Sequence, residues 1–244
     1  MSDKPVSDKT MSDTARRTIV VTGASRGLGR HICTRAVEEG WNVIGLARTV
    51  EPLDGVRMIA CDVGDAEDVA KAFREIRKDR NFYALINGAG IASMNLMFTT
   101  PPATIDRIIR VNLLGTMYCS QQAGRLLARR GEGRIINFST LANSIALKGE
   151  AVYAASKAGV EGFSRTFARE MADFGITVNC ISPGPIDTAL IAKVPEENIR
   201  RIVSHQIIQR KAEPEDVWNV TSLLLSPAAN WVTGDVDVIH LGGV

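Results

Sequence analysis

Residues 18–29 read T-I-V-V-T-G-A-S-R-G-L-G and carry the pattern that decides the fold. Thr18–Val21 is a β-branched run typical of a buried strand, and a helical pattern follows through Ile32 and Ala36 as far as Gly40. Glycines let backbone approach a pyrophosphate, and a helix N-terminus offers free N–H groups and a positive dipole. Strand, glycine-rich turn and helix in this order predict a dinucleotide site. The spacing is G-x-x-x-G-x-G, and a structural turn without a ligand is the alternative.

Strands and helices alternate through the rest of the chain. We predict further strands over residues 41–47, 56–60, 82–86, 134–138, 176–181 and 235–240. Helical patterns run to about residue 78, over 103–130, to about 173, and from 214 onward, with an amphipathic segment over 189–211. This alternation predicts a single α/β domain over residues 17–244, with a doubly wound parallel sheet of the Rossmann type. Two smaller domains are the alternative. Residues 1–16 are polar and are predicted to be a disordered lead-in rather than a secretory signal.

Composition excludes several classes of function. The 244 residues carry a net charge of +2, which suggests no nucleic-acid or membrane partner. No apolar run is long enough to span a bilayer. Four scattered cysteines, Cys33, Cys61, Cys119 and Cys180, lie in apolar stretches without metal-ligand spacing and are predicted to be buried thiols. We therefore predict no metal and a reducing compartment, which indicates the cytoplasm.

Two positions bear on the choice of a dinucleotide. Arg48 follows the second strand, where an acid would bind the ribose 2′-OH of NAD and a cation suits the 2′-phosphate of NADP. Arg26, in the glycine turn, is expected to assist; the alternative is that both arginines are simply solvated.

Asp62 follows the third strand and could accept a hydrogen bond from an adenine amine. Asp65 nearby is a candidate helix cap.

A second stretch, residues 140–157, reads T-L-A-N-S-I-A-L-K-G-E-A-V-Y-A-A-S-K. Tyr153 and Lys157 are four residues apart, so a helix places them on one face, one turn apart. A lysine ammonium would favour the phenolate and lower the tyrosine pKa. With the hydroxyl of Thr140, such a pair can move a proton on or off a carbonyl oxygen. The same spacing also occurs by chance in surface tyrosine–lysine pairs.

Taken in order, these motifs resemble the short-chain dehydrogenase/reductase family from about Thr18 to Gly243. The motifs that carry the resemblance are T-G-A-S-R-G-L-G at 22–29, Asp62-Val63, N-G-A-G at 87–90, Asn112 in V-N-L, Y-A-A-S-K at 153–157 and P-G-P-I-D-T at 183–188. Within the family, the chain is most similar to 3-oxoacyl-(acyl carrier protein) reductases and related ketone reductases.

The resemblance implies a role for each matching residue. Tyr153 would be the general acid, Lys157 would lower its pKa and bind the nicotinamide ribose, and Asn112 would hold a water that links Lys157 to solvent. Thr140, thirteen residues before the tyrosine, would hold the substrate oxygen. The adjacent Ser139 would point to the opposite face, because successive strand residues alternate. The implied cofactor contacts are Gly23, Ser25, Arg26, Gly27, Leu28, Gly29, Arg48, Asp62, Val63, Asn87, Ala89, Gly90, Tyr153, Lys157, Pro183, Ile186 and Thr188.

The resemblance implies an NADPH-dependent reduction of a small-molecule ketone or acyl thioester to a secondary alcohol. An NADP-linked alcohol dehydrogenase working oxidatively and a non-catalytic dinucleotide-binding protein are the alternatives. We expect the substrate pocket to be formed by residues 93–97, 141–149 and 190–205 together with Pro185. The resemblance also implies a homotetramer, with one interface over about 214–241 that uses Val220, Leu223, Leu224 and Val236.

Overall fold

The computed structural model describes residues 17–186, 194 and 196–239, and its core is one parallel sheet. The strands are β1 (Thr18–Thr22), β2 (Asn42–Ala47), β3 (Val56–Ala60), β4 (Phe82–Asn87), β5 (Gly133–Phe138), β6 (Ile176–Pro183) and β7 (Val236–Ile239). They pair in the order β3-β2-β1-β4-β5-β6-β7, and every pair is parallel. The predicted doubly wound α/β fold is confirmed.

Eight helices connect these strands within the described residues. They are α1 (Gly27–Glu38), α2 (Ala66–Ile76), α3 (Pro102–Ile109), α4 (Gly115–Leu127), α5 (Ala142–Ile145), α6 (Ala151–Ala172), α7 (Glu196–His205) and α8 (Pro214–Leu225). The long helix predicted over 103–130 is interrupted by a π-helical segment, Arg110–Leu114, which contains Asn112. Of the amphipathic segment predicted over 189–211, the structure describes one helix, α7.

Apolar side chains pack on both faces of the sheet, because parallel strands are covered by helices on each side. In β1, Ile19 and Val21 join the cluster formed with α1 and α8, whereas Val20 joins the cluster formed with α2 and α4. All four cysteines are buried and free, as predicted. None of the described helices combines the length and apolarity needed to cross a membrane.

The sheet order reverses direction between β1 and β4, and the carboxyl ends of these strands open a crevice. Helix α1 approaches β1 closely at this point. A Cβ added to Gly29 would lie 2.3 Å from the carbonyl oxygen of Gly23, so only glycine fits there. On the β4 side, the backbone N–H of Ala89 donates to Thr22 Oγ1 at 3.1 Å, and this contact joins the two halves of the sheet.

We expect Gly29→Ala to destabilise the fold, since its Cβ meets rigid backbone rather than a movable side chain. Overpacking of this kind typically costs about 1–3 kcal/mol. Gly162→Ala is the matched control, because Gly162 lies in the interior of α6 with nothing within 4 Å of an added Cβ. That control should gain up to about 1 kcal/mol from helix propensity. Urea unfolding at one protein concentration measures both changes; equal stability of the two variants would contradict the assigned contact.

Candidate active site

A cleft of about 490 Å³ lies at the carboxyl ends of the strands and gathers most of the residues predicted for the site. Its lining includes these predicted residues: Gly23, Ser25, Arg26, Gly27, Leu28, Gly29, Arg48, Asp62, Val63, Ala89, Gly90, Thr140, Tyr153, Lys157, Pro183 and Ile186. Asn87 and Asn112 are not among the lining residues. Thr188 lies outside the described residues, as do positions 190–193 of the predicted substrate pocket.

The first turn of α1 forms one end of the cleft and is suited to an anion. Its N-cap, Arg26, makes no side-chain cap hydrogen bond, and no acidic residue lies in the first turn. The N–H groups of that turn therefore face the cleft without a competing side-chain acceptor. Gly23 and Gly27 both have positive φ angles, of 72° and 54°, which keep the turn compact. This arrangement fits the pyrophosphate of a dinucleotide.

Arg26 and Arg48 are exposed at the same end of the cleft. Within the described part of the chain, neither guanidinium has a hydrogen-bond or ion-pair partner, so both are available to a phosphate. Asp62 also lines the cleft, and one of its carboxylate oxygens accepts from the N–H of Gly64 at 2.9 Å. Asp65 caps α2 by accepting from the N–H groups of Glu67 and Asp68, as the sequence suggested.

Asn87 was predicted to contact the cofactor; this stays a prediction, and the structure shows that its side chain does not line the cleft. It is 3% exposed, and its Nδ2 donates to Asn137 Oδ1 at 2.8 Å and to Ser120 Oγ at 3.0 Å. The side chain faces the interior between β5 and α4, because the strand ends with this residue pointing away from the cleft. Gly88, the next residue, lines the cleft instead. A Cβ there would lie 2.8 Å from the carbonyl oxygen of Thr22.

Tyr153 lies in the first turn of α6, opposite the end of β5, and is 8% exposed. Burial raises the pKa of its phenol to about 12, and a side-chain hydrogen bond with Thr140 opposes that rise. Thr140 therefore faces Tyr153, as the thirteen-residue spacing predicted. The phenol is protonated at neutral pH and can donate a proton to a stronger base such as an alkoxide.

Lys157 occupies the next turn of α6 and is 5% exposed. Its Nζ donates to the carbonyl oxygen of Phe138 at 2.8 Å, and burial lowers its pKa to about 8. Burial dominates the pKa of Tyr153, which rises, and Lys157 is not among the causes of its shift; that Lys157 lowers this pKa stays a prediction. The two side chains nevertheless line one cleft, as their spacing predicted.

Ser139 belongs to a separate hydrogen-bond network. Its Oγ donates to Glu161 Oε1. Asn143 Nδ2 donates to the same carboxylate oxygen at 2.7 Å and to Ser139 Oγ at 3.1 Å. The network ties the end of β5 to α6 and directs the hydroxyl of Ser139 away from Tyr153. Thr140 is left as the neighbouring hydroxyl that reaches the phenol.

Asn112 is fully buried in the π-helical segment. Its Oδ1 accepts from the N–H of Ile91 at 2.9 Å, and its Nδ2 donates to the carbonyl oxygen of Ile91 at 2.9 Å and to Ser156 Oγ at 3.0 Å. The side chain thereby fixes the loop after β4, in which Ile91 lines the cleft, against α6. The water relay toward Lys157 stays a prediction.

Glu150 is a cleft residue that the sequence analysis missed, because the predicted pocket ended at residue 149. It is the N-cap of α6 and lies three residues before Tyr153. Residues at that spacing share a helix face, and this signal could have identified it. Glu150 is 7% exposed, and burial raises the pKa of its carboxyl. Its charge in turn contributes to the raised pKa of Tyr153.

A doubly wound parallel sheet with a cleft at the carboxyl ends of its strands is typical of dinucleotide-dependent oxidoreductases. A family model described as enoyl-(acyl carrier protein) reductase matches residues 23–243. The 3-oxoacyl-[acyl-carrier-protein] reductase FabG of Staphylococcus aureus is 32% identical over 240 residues, which cover 93% of this chain and 97% of the relative. The aldohexose dehydrogenase of Thermoplasma acidophilum has a similar structure, with a TM-score of 0.86, 30% identity and coverage of 93% and 94% of the two chains.

The chain therefore belongs to the short-chain dehydrogenase/reductase family, as its motifs suggested. Members of this family bind nicotinamide dinucleotides and interconvert alcohols and ketones, so the protein is an oxidoreductase of that type.

Because Ser139 and Thr140 are neighbours, substitutions can test directly which of the two hydroxyls binds the substrate oxygen. Thr140→Ala should lower kcat/KM about 10²-fold or more, since loss of one donor at a developing oxyanion costs that much. Thr140→Ser keeps the hydroxyl and should retain most activity. Ser139→Ala is the matched control and should have a mild effect, because Ser139 bonds to Glu161 instead. An inactive Ser139→Ala beside an active Thr140→Ala would reverse the assignment.

Proposed function

We propose that the protein reduces a small-molecule ketone to a secondary alcohol with NADPH as the cofactor. The observation that carries the proposal is the protonated phenol of Tyr153, held in a cleft beside the hydroxyl of Thr140 and the amine of Lys157. A phenol that remains protonated at neutral pH suits the reductive direction, in which the substrate oxygen must receive a proton.

Each side chain has a separate task in the proposed reaction. The cofactor supplies a hydride to the carbonyl carbon when it is bound. Thr140 donates a hydrogen bond to the substrate oxygen and orients the carbonyl. Tyr153 gives its proton to that oxygen as negative charge develops there. Lys157 stabilises the resulting phenolate, because an ammonium nearby favours the charged form. Asn112 keeps the loop that contains Ile91 in place against α6.

The opposite direction, oxidation of a secondary alcohol, uses the same groups in reverse order. It requires Tyr153 to lose its proton before it can accept one from the alcohol. Because the pKa of Tyr153 is raised, the oxidative direction should gain rate as the pH rises above neutrality.

Tyr153→Phe is the central test of the proposal. The substitution keeps the ring and removes only the hydroxyl, so the fold and cofactor binding should survive. Loss of a general acid typically costs about 10²–10⁴-fold in rate. We expect that loss in kcat for NADPH-dependent reduction over a panel of ketones, followed by NADPH absorbance. Cofactor titration of the same variant is the control. A Tyr153→Phe enzyme that keeps full activity with any ketone would refute the assigned role, and a wild type inactive over the panel would refute the reductase proposal.

The preference for NADPH rests on Arg48 and Arg26. Both are exposed at the end of the cleft, both lack a partner among the described residues, and no acid follows β2 to bind the 2′-OH of NAD.

Arg48→Asp should reverse the cofactor preference, because an acid repels the 2′-phosphate of NADP and accepts from the 2′-OH of NAD. We expect wild-type Kd values at least about 10-fold lower for NADPH than for NADH, as befits a charge-assisted phosphate contact. The ratio should shift toward NADH in the variant. Fluorescence titration of both cofactors measures it. Arg30→Asp, on an exposed position of α1 outside the cleft lining, is the matched charge control. Equal affinities in the wild type would exclude the proposed preference.

We also propose that the protein is a homo-oligomer. The starting point is the family resemblance, which implies a homotetramer. Leu223 on α8 is 57% exposed, and Trp231 in the same segment is 84% exposed. Large exposed apolar side chains of this kind support an interface in the predicted region, about 214–241. Leu224 was expected to contribute to that surface, but it is 3% exposed because it packs into the core beside α1. Cytoplasmic localisation stays a prediction.

A further inference from the structure

Glu150 is the buried acid of the cleft for which the proposed reaction has no use. The residue is 7% exposed and lines the cleft one helical turn before Tyr153. Among the residues that the structure describes, no hydrogen bond or ion pair engages its carboxylate. Neither carboxylate oxygen is fully buried, so both are open to the cleft, where a donor group of a ligand can replace water.

Glu150 stands at the start of α6 but does not cap the helix with its side chain. An N-cap side chain normally accepts a hydrogen bond from the second or third N–H group of its helix. Glu150 is the N-cap of α6 and makes no such bond. Its carboxylate is directed to the cleft instead, and its charge acts on Tyr153.

The surroundings of Glu150 define what it could bind. The cleft that Glu150 lines also contains the apolar residues Leu141, Ala142, Ile145, Leu147, Ile199 and Ile202, and the backbone N–H of Glu150 donates to the carbonyl oxygen of Leu147 at 3.2 Å. Two cations of this region, Lys148 and Arg201, line a different hollow of about 290 Å³ that does not include Glu150. Within this apolar wall, a carboxylate accepts hydrogen bonds from O–H or N–H groups and repels other acceptors.

We propose that Glu150 determines specificity by binding a hydrogen-bond donor, a hydroxyl or an ammonium, that the substrate carries near its ketone. The inference rests on the proposed ketone reduction, since it places the reacting carbonyl at Tyr153 and the donor group one helical turn away. Residues at that spacing have Cβ atoms about 5–6 Å apart, so the donor and the carbonyl belong to one small molecule. A plain alkyl ketone would leave the carboxylate unpartnered and is therefore disfavoured.

Matched ketones test this preference at two spacings. Hydroxyacetone and 2-butanone differ by a hydroxyl in place of a methyl group, and so do 4-hydroxycyclohexanone and 4-methylcyclohexanone. 4-Piperidone tests a charged donor, because it carries an ammonium group. We expect wild-type kcat/KM to favour the donor-bearing ketone by about 10-fold or more in at least one comparison, as a hydrogen bond to a charged group allows. The proposal would be overturned if kcat/KM were higher for the methyl-bearing ketone in both pairs and if 4-piperidone had no higher kcat/KM than 4-methylcyclohexanone.

Two substitutions connect the preference to Glu150. Glu150→Leu removes the acceptor and should bring the ratio of kcat/KM values toward one, while Glu150→Gln keeps the shape and one acceptor and should lower it in part. Glu170→Gln, an exposed position on the same helix, removes the same charge and should leave the ratio as in the wild type. A structural role at the N-terminus of α6 would lower both kcat/KM values together and keep their ratio. An unchanged ratio in folded Glu150→Leu or Glu150→Gln protein, checked by circular dichroism, would thus refute the proposal.

Binding without turnover separates this inference from the proposed function. The same ketones are titrated into protein saturated with the oxidised cofactor, which has no hydride to give to the ketone group, and heat of binding is measured. A constant absorbance at the wavelength of the reduced cofactor checks that the hydroxyl groups of these ketones are not oxidised. A donor preference that Glu150→Leu abolishes supports the inference even where reduction with NADPH is absent, and that absence counts against the proposed function alone. Reduction of ketones without any donor preference in binding or kinetics counts against the inference alone.

Discussion

The close contact between the turn after β1 and the loop after β4 is the constraint on which the rest of the structure depends. Helix α1 can start where it does only because Gly29 brings its Cα against the carbonyl oxygen of Gly23. Gly23 in turn lies against the backbone of Ala89, where an added Cβ would be 2.8 Å from the Ala89 Cα. These backbone contacts form the floor of the crevice at the point where the strand order reverses. Both ends of the cleft, the N-terminus of α1 and the face of α6 that carries Tyr153 and Lys157, are positioned relative to that floor.

The site also requires two ionisable side chains to be buried, and this requirement lowers the stability of the folded chain. A tyrosine and a lysine are buried side by side in α6, and burial disfavours the charged form of each. The carbonyl oxygen of Phe138 offsets part of the cost for Lys157, because the strand end presents an acceptor where β5 stops. Well-packed apolar residues would stabilise these positions better. Conflict between local stability and residue choice is expected at functional sites, and here both residues line the cleft.

Much of the fold could be predicted from sequence because its signals are local. The strands are β-branched runs bounded by glycine or polar residues, and the predicted bounds of β3, residues 56–60, agree with the structure. Thr140 could be separated from Ser139 by its fixed spacing to Tyr153, which is a property of the sequence. Strand alternation does not explain the separation, because β5 ends at Phe138, before both residues. The side of the strand end that Asn87 faces could not be predicted. Its partners, Ser120 and Asn137, are distant in sequence and meet only in the folded chain.

The pKa of Tyr153 shows why the electrostatics of the site needed the structure. From the sequence, Lys157 was the one residue expected to influence the pKa of the phenol, and it was expected to lower that pKa. Three further influences act on it: burial and the charge of Glu150 raise its pKa, and the hydrogen bond with Thr140 lowers it. Their balance depends on how deeply the first turn of α6 is buried in the fold, which no local pattern encodes. Because Glu150 and Tyr153 lie on one face of that turn, a ligand group that neutralises the carboxylate also removes a charge that disfavours the phenolate. Substrate recognition and proton transfer are thereby coupled through two residues of the same helical turn.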